Sequence, residues 1–208
     1  MSKLTLWGQP RSINVQKVLW ALAELGLPYE RIDAGGAFGR NKEPDYLAIN
    51  PTGLIPTLVD QGQALWESNA VLRYLYSAYG KAPQQPDSAI ERARADQFTE
   101  FYNSTLWANV RPLVVQLIRT PEDKRDKAVI ESAQKASIAA VTLLDRELSS
   151  RPYIAGNEFT WGDIPIASAL QRWYNLPIKR PEHKALDAYY ARVKERPAFK
   201  QWIDLPLA

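Results

Sequence analysis

Two serines in this sequence occupy positions where the residue pattern predicts that helices begin. Ser68 precedes an apolar repeat with helical spacing over residues 71–78, and Ser12 precedes another over residues 13–25. The free N–H groups and the dipole of a helix N-terminus favour a bound anion. Taken alone, Ser12 is an ordinary N-cap residue. The sequence therefore predicts anion-binding chemistry, with Ser68 as its first candidate.

The side chains that most enzymes use as nucleophiles or metal ligands are scarce in the chain. There is no cysteine, which excludes disulfides, thiolate metal sites and a cysteine nucleophile. One histidine, His183, is too few for a histidine metal cluster and argues against a Ser/His/Asp triad. His183 lies in the polar run 180–184, and we expect it on the surface at a helix start. No metal is predicted, and sulfur chemistry would need a sulfur that arrives with a ligand.

The composition is that of an ordinary globular protein of 208 residues, with 46% hydrophobic and 24% charged side chains. Lys and Arg number 26 against 23 Asp and Glu, and no basic tract is longer than a pair, so nucleic-acid binding is not expected. No apolar run approaches membrane-spanning length, and no signal peptide precedes the first predicted strand. We therefore expect a cytoplasmic protein without a membrane partner.

The first 80 residues predict alternating strands and helices that place Ser12 and Ser68. A strand, a helix that ends at Gly26 before Pro28, and a second strand form a right-handed parallel crossover. A Gly-rich stretch, a short helix and a hairpin follow. The predicted elements are strand 4–7, helix 13–25, strand 29–33, helix 45–49, strands 57–60 and 64–66, and helix 68–80.

Residues 80–87 form a linker rich in Gly and Pro, and no strand pattern recurs after it. Ser88 and Glu91 have the spacing of a capping box, and a long helix is predicted to run to residue 118 with a bend near Pro112. A second helix is predicted to open at residues 120–123. Asp163 is predicted to be a structural cap and a buried hydrogen-bond acceptor. The remaining predicted helices are 164–170, 186–194 and 198–203.

Three segments carry a resemblance to a known family. Residues 50–56, NPTGLIP, and 67–75, ESNAVLRYL, together resemble the glutathione-binding half of cytosolic glutathione S-transferases, written NPxGxVP and ESxAIxxYL. Residues 8–15, GQPRSINV, are similar to the first loop of the serine-type, phi/theta-like bacterial members, whose serine stands four residues after the glycine. The resemblance covers essentially the whole chain.

The resemblance implies a fold of class α/β plus all-α. A thioredoxin-like βαβ-ββα domain, residues 1–80, would bind glutathione, and an all-helical bundle domain, residues 88–208, would contribute the electrophile site. The implied activity is that of a homodimeric glutathione transferase, with glutathione as co-substrate and no metal.

The resemblance assigns Ser12 the role of stabilising the glutathione thiolate. A thiol with a reference pKa of about 8.5 is mostly protonated at neutral pH. Lowering that pKa by about two units requires ~2.7 kcal/mol. A hydrogen bond to a charged group supplies ~1.5–3 kcal/mol, and the helix dipole adds ~0.3–1 kcal/mol. Ser12 would therefore be a donor rather than a nucleophile. Asn14 is the alternative donor, and Trp7, in the strand where tyrosine-type relatives place a phenol, has no hydroxyl.

The second motif pair implies the contacts for the rest of glutathione. Ser68 and the N–H groups of its helix suit the γ-glutamyl carboxylate, and Glu67 suits the ammonium group. Ile55 would pair by its backbone with the cysteinyl part, as an added strand does. The family implies a cis bond between Ile55 and Pro56.

The resemblance to the family is less complete at the remaining positions. Lys42 stands where phi-like members place a lysine for the glycyl carboxylate, and Arg40 is a second candidate. Leu54 stands in the glutathione-binding segment where many members have Gln or Lys, so that contact is lost or replaced. Thr52 replaces an aromatic residue that inserts into the partner subunit, so the dimer contact must differ.

The electrophile is expected between the domains, where the candidates are Arg11, Phe38, Tyr102, Trp107 and Arg111. Aromatic residues at helical spacing are also typical of a core, and the arginines would suit an electrophile with an acidic group. Dehalogenation, peroxide reduction and a non-catalytic stress or binding module remain alternatives to conjugation.

Overall fold

The structure is a computed structural model that describes residues 4–207. Its strands are β1 (Leu4–Trp7), β2 (Tyr29–Ile32), β3 (Thr57–Asp60) and β4 (Gln63–Trp66). Its α-helices are α1 (Ile13–Glu24), α2 (Pro44–Ile49), α3 (Ser68–Tyr79), α4 (Ala89–Phe101), α5 (Trp107–Val114), α6 (Lys127–Leu148), α7 (Asp163–Asn175), α8 (Lys184–Lys194) and α9 (Pro197–Trp202).

The four strands form one mixed sheet in the order β2-β1-β3-β4. β1 runs parallel to β2 and antiparallel to β3, and β3 forms a hairpin with β4. Leu6 pairs in register with Leu58, and both are fully buried. This order and direction, with α1 crossing between two parallel strands, confirm the thioredoxin-like class for the first part of the chain. Every strand that the structure describes lies before residue 67.

Helix α1 lies between the sheet and the helical part of the chain, so it is buried on almost all sides. Val15, Val18, Leu19 and Leu22 are fully buried, as their spacing predicted. The helix packs against α3 on one side and against α7 and α9 on the other. Such burial fixes the position of its first residue, and the N-cap of α1 is Ser12.

The contact between α1 and α9 combines apolar and ionic groups. The Trp20 ring lies edge-on to Phe199, with ring centroids 5.3 Å apart. Arg196 donates to both carboxylate oxygens of Glu24, at 2.8 and 2.6 Å. A bidentate ion pair whose acid is nearly buried holds the two helices in one relative orientation. The helical part therefore forms one side of the cleft that begins at Ser12.

The long helix predicted after the linker is present with two irregular segments. The Ser88 hydroxyl accepts a hydrogen bond from the Glu91 amide at 3.2 Å, which confirms the predicted cap. Wider helical turns at Tyr102–Leu106 and Val115–Arg119 flank α5, which contains Pro112. A proline lacks the donor for a regular helical hydrogen bond, and the departures from α-geometry lie on either side of it.

The predicted start of the next helix is wrong. Residues Glu122–Lys124 form only a short 3-10 turn, and α6 begins at Lys127. Asp126 is its N-cap, and the Asp126 carboxylate accepts from the Val129 amide at 3.1 Å. Since Asp is a better cap than Thr, the helix begins at the acceptor nearest its apolar repeat.

Asp163 is a buried hydrogen-bond acceptor, as predicted, but it is the first residue of α7 and the N-cap position is Gly162. Its buried carboxylate accepts from the amides of Ile154 at 2.9 Å and Thr160 at 2.8 Å, and from the Tyr189 hydroxyl at 3.1 Å. Burial raises the pKa of this carboxyl group to about 6, against the opposing effect of these hydrogen bonds. Asp163 thereby ties the loop before α7 to the helix itself and to α8.

The expected surface position of His183 is wrong. The residue is only 8% exposed, and its Nε2 lies 2.9 Å from the Thr142 hydroxyl. The Asp145 carboxylate of α6 accepts from the amides of Ala185 and Leu186 at 2.9 and 3.0 Å. This link pulls the start of α8 onto α6 and covers His183. The polar run around it gave no sign of a long-range contact.

Within residues 4–207, no helix combines the length and the apolar character that crossing a bilayer requires.

Candidate active site

A cavity of about 550 Å³ opens where the loop before α1 faces α5 and the wider turn after it. The loop after β1, the start of α1 and Ile55 supply one wall, and the helical part supplies the other. The residues that line it are Gln9, Arg11, Ser12, Ile13, Asn14, Ile55, Trp107, Arg111, Val114, Val115 and Arg119. The cavity therefore contains both predicted thiolate donors and three of the predicted electrophile residues.

Ser12 begins α1 without using its side chain as a cap. Its backbone is extended, with φ −77° and ψ 125°, and its carbonyl accepts the Gln16 amide at 2.8 Å. The side chain makes no capping hydrogen bond. The hydroxyl is half-buried, lines the cavity and lies at the positive end of the helix dipole. It can therefore donate a hydrogen bond to an anion that enters the cavity.

Ile55 offers backbone groups beside Ser12. The Ile55–Pro56 bond is cis, as the family pattern implied. Among residues 4–207, neither the amide nor the carbonyl group of Ile55 has a hydrogen-bond partner. Gly35 packs against the Ile55 side chain so closely that an added Cβ would lie 2.7 Å from the Ile55 Cδ1 atom. The backbone of Ile55 can pair with an extended ligand.

The turn before Ile55 is clamped by buried polar groups. Tyr46 and Asn50 both donate to the Leu54 carbonyl, at 2.5 and 2.8 Å, and Asn50 also donates to the Thr57 hydroxyl at 2.9 Å. Thr52 donates its hydroxyl to the Asn50 side chain at 2.6 Å. The Leu54 side chain itself is 62% exposed. The side chain of Tyr46 reaches this turn from α2, and Tyr46 was not predicted from the sequence as part of the site.

A second candidate anion site lies at the start of α3. Glu67, its N-cap residue, has φ +66°, a left-handed conformation that is strained for a residue with a side chain. Glu67 is exposed, whereas Ser68 is buried. The Ser68 hydroxyl has no hydrogen-bond partner among residues 4–207. A strained residue followed by a helix start is typical of a binding position.

A buried lysine that was not predicted from the sequence lies between the two helix starts. Lys17 of α1 donates to the Asn69 side chain at 2.8 Å, and Asn69 donates to the Thr99 carbonyl of α4 at 3.2 Å. Burial lowers the pKa of Lys17 to about 7, although the charge of Glu67 raises it. The available signal was a lysine inside a helix whose other buried residues are almost all apolar.

The two predicted contacts for the glycyl carboxylate have different surroundings. Lys42 extends across Gly53, where an added Cβ would lie 2.5 Å from the lysine Nζ atom. Arg40 forms an ion pair with Asp45 at 3.4 Å and lies over the Trp7 ring at 5.0 Å. Both residues lie in or next to the Gly-rich segment 34–40, and Arg40 already has an acidic partner.

The electrophile candidates divide into two groups. Arg11, Trp107 and Arg111 line the cavity. Tyr102 is buried behind Trp107, with the two rings stacked at 6.2 Å, and Phe38 lies on an exposed 3-10 turn. Neither of these two lines the cavity.

A smaller cavity of about 410 Å³ adjoins the first and shares with it Arg11, Ile13, Trp107, Val114 and Arg119. Its other lining residues are Gln16, Arg172, Leu205, Pro206 and Leu207. None of these five residues was predicted from the sequence to line the site. The only local signal was the position of Arg172 soon after the apolar run of α7.

Comparison with known proteins identifies the family to which this geometry belongs. The family model of the glutathione S-transferase N-terminal domain matches residues 2–77, and that of the C-terminal domain matches residues 106–197. The chain is 41% identical to the glutathione S-transferase GstB of Escherichia coli K12 over 99% of this chain and 100% of the relative. It belongs to the glutathione S-transferase family.

Other relatives agree with this membership. Glutathione S-transferase 3 of Zea mays is 32% identical over 98% of this chain and 94% of its own length. The crystal structure of a theta-class glutathione S-transferase of Xanthomonas axonopodis pv. citri, with glutathione bound, has a TM-score of 0.93, 41% identity and full coverage of both chains. These comparisons confirm the predicted family, the fold class, the enzyme class and glutathione as co-substrate of that class.

Proposed function

We propose that this transferase ionises glutathione with the Ser12 hydroxyl and directs the thiolate to a small electrophile in the cavity beside Trp107. The observation that carries this role is the position of Ser12: it begins α1, makes no capping hydrogen bond and lines the cavity. A hydrogen bond to the sulfur anion and the dipole of α1 would lower the thiol pKa.

Glutathione would lie along the edge of the first domain. Its cysteinyl backbone would pair with the amide and carbonyl groups of Ile55, which have no partner among residues 4–207. Its γ-glutamyl carboxylate would lie against Ser68 and the first N–H groups of α3, with Glu67 facing the ammonium group. With these contacts, the sulfur would lie between Ile55 and Ser12.

The glycyl carboxylate would bind Lys42. The ion pair of Arg40 with Asp45 makes Arg40 the weaker partner, because binding a second carboxylate there means sharing the guanidinium. Leu54 would contribute only its backbone to the glutathione site, since its side chain is exposed and apolar.

In the reaction, the thiol proton leaves to solvent when glutathione binds, and the thiolate attacks an electrophilic carbon. In a substitution, a carbon–sulfur bond forms while the leaving group departs with its bonding electrons. In an addition, the electron pair moves onto the acceptor, which then takes a proton from solvent. Arg11 and Arg111 line the place where negative charge would develop.

The decisive experiment compares wild type with Ser12→Ala and Ser12→Thr. Ultraviolet difference spectra over a pH range give the pKa of bound glutathione, and an aryl chloride gives the conjugation rate. Ser12→Ala should raise the thiol pKa and lower the rate, and Ser12→Thr should retain much of both properties. An unchanged pKa and rate in Ser12→Ala would transfer the role to Asn14. If wild type binds glutathione but conjugates no electrophile, the chain is a binding module.

We propose further that the chain acts as a homodimer in the cytoplasm. Four large apolar side chains of the first domain are exposed, as expected for residues that a partner covers: Phe38, Leu47, Leu54 and Trp66. Thr52 is engaged by Asn50 within its own turn, so the contact differs from an inserted aromatic residue. Sedimentation equilibrium of wild type and Leu54→Glu tests the dimer, and imaging of a tagged chain tests its location.

A further inference from the structure

The smaller cavity extends the reaction cleft toward a buried cation. It adjoins the larger cavity along Arg11, Ile13, Trp107 and Arg119, and it ends at Arg172 of α7. The larger cavity contains the proposed thiolate site. The smaller one is therefore placed to hold the part of an electrophile that points away from the reacting sulfur.

Arg172 is only 8% exposed and has unusual partners. Its guanidinium donates to the Gln16 side chain and, at 3.3 Å, to the Ser168 carbonyl. Among residues 4–207, no carboxylate forms an ion pair with it. Burial lowers the pKa of Arg172 to about 10, and the positive charge of Arg119 acts in the same direction. A buried charge without a counter-ion is unfavourable, so an anion that enters the cavity gains an uncompensated partner.

The position of this cation relative to the proposed sulfur site follows from α1. Gln16 accepts from Arg172, and its amide donates to the Ser12 carbonyl at 2.8 Å, so Gln16 lies one helical turn beyond Ser12. Residues four apart lie on the same helix face. The cation and the proposed sulfur site are therefore reached from the same face of α1, and one ligand in the joined cavities can face both.

The cavity combines apolar and cationic surface. Ile13, Trp107 and Val114 come from the two domains, and Leu205 and Leu207 close the far side. The Leu205 carbonyl accepts the Gln171 side chain at 2.7 Å, which holds this last segment against α7. Arg11 and Arg119 line the part shared with the larger cavity, and Arg172 is the cation at the end away from it.

We propose that the preferred electrophiles of this enzyme are aromatic or similarly flat molecules that carry a carboxylate opposite the reacting carbon, and that Arg172 binds that carboxylate. The inference rests on the proposed function, because it takes the sulfur site to be at Ser12. A planar carboxylate matches the planar donors of a guanidinium. Arg172 is a specificity-determining residue and takes no part in ionising the thiol.

Binding without glutathione tests the anion site separately from catalysis. The probes are 3-nitrobenzoate and 3-nitrobenzamide, which have nearly the same shape and differ in charge, and titration calorimetry gives both affinities. Wild type should bind the carboxylate roughly tenfold or more tightly, as expected for a charge-assisted hydrogen bond. Equal affinities in wild type would overturn the proposal, whatever the variants do.

Two variants locate the effect. Arg172→Gln should remove the preference for the carboxylate. Arg180→Gln is the matched control, because Arg180 also donates to carbonyl groups of α7 and its surroundings but lines neither cavity. It should keep the wild-type preference. A preference that survives in Arg172→Gln would overturn the assignment to Arg172.

Kinetics then connect the site to turnover. With glutathione and 4-chloro-3-nitrobenzoate, a carbon–sulfur bond forms and chloride leaves, and 4-chloro-3-nitrobenzamide reacts in the same way without the charge. Arg172→Gln should lower kcat/KM for the benzoate roughly tenfold or more and change the value for the benzamide less than about twofold. If neither compound reacts but the carboxylate still binds through Arg172, the proposed function fails while this site stands.

Discussion

The two helix starts that carry serines, at α1 and at α3, differ in ways that suit them to different anions. Ser12 is half-buried, lines the cavity and has an extended backbone typical of an N-cap. Ser68 is buried and follows Glu67, whose left-handed conformation is strained. A reacting sulfur needs an accessible donor, whereas a carboxylate that only anchors the ligand needs a fixed position. In the proposed mechanism, the same local motif would ionise one anion at Ser12 and hold another at Ser68.

Lys17 connects the two helix starts. It belongs to α1, donates to Asn69 at the start of α3, and lies with its ammonium group 4.3 Å from the centre of the Tyr102 ring. The two proposed anion sites therefore share Lys17 as a buried support. Changes at either serine should act on one step of glutathione use, and changes at Lys17 should act on both helices together.

The largest expected effect is that of Ser12→Ala on the reactive site. Loss of a hydrogen bond to a charged sulfur costs ~1.5–3 kcal/mol, so kcat/KM at neutral pH should fall roughly 10- to 100-fold and the thiol pKa should rise by about one to two units. The KM for glutathione should change little. A thiol pKa that stays at the wild-type value would remove the distinction between the two serines.

The next largest expected effect is on the pH dependence of stability, and it arises from Lys17. The folded-state pKa of about 7 lies below the unfolded value of about 10.5, so between these values the unfolded state binds more protons and stability rises with pH. Below about pH 7, the contribution of Lys17 to the free energy of unfolding no longer changes with pH.

Lys17→Met should remove this rise. Between pH 7 and pH 9 the difference in unfolding free energy between wild type and variant should change by about 2 kcal/mol, as measured with urea. Lys135→Met, at an exposed lysine of α6, is the control and should leave the pH dependence in place. A parallel pH profile for wild type and Lys17→Met would show that Lys17 does not titrate in this range.

Ser68→Ala should separate anchoring from ionisation. Loss of one hydrogen bond to the γ-glutamyl carboxylate should weaken glutathione binding about tenfold, while the pKa of the bound thiol stays within about 0.3 units of wild type. Calorimetry and ultraviolet difference spectra measure the two quantities on the same sample. A pKa shift as large as that of Ser12→Ala would contradict the proposed division of roles.

The smallest expected effect is that of Asn14→Ala. Asn14 lines the same cavity as Ser12 but lies inside the first turn of α1, so we expect less than about a threefold change in kcat/KM. Conjugation of an aryl chloride at saturating glutathione provides the measurement. A loss larger than that of Ser12→Ala would make Asn14 the main donor.

Much of the first domain could be predicted because its signals are local. The apolar repeats of α1 and α3 and the hairpin of β3 and β4 depend on residues close in sequence, and the structure contains each of them. The error at Thr120 is local, because Asp126 competes for the helix start. The error at His183 concerns a segment whose position depends on a long-range contact, since α6 covers His183 through Asp145.

The family motifs and the lack of cysteine, which local residue types encode, were enough to determine the transferase class and the need for a sulfur supplied by glutathione. Tertiary structure alone decided that Lys17 joins two helix starts and that Arg172, about 160 residues after Ser12, reaches the same cleft. The physical reason is that burial and cavity shape arise from packing between distant helices, and a buried charge in a sequence looks the same as an exposed one until its neighbours are known.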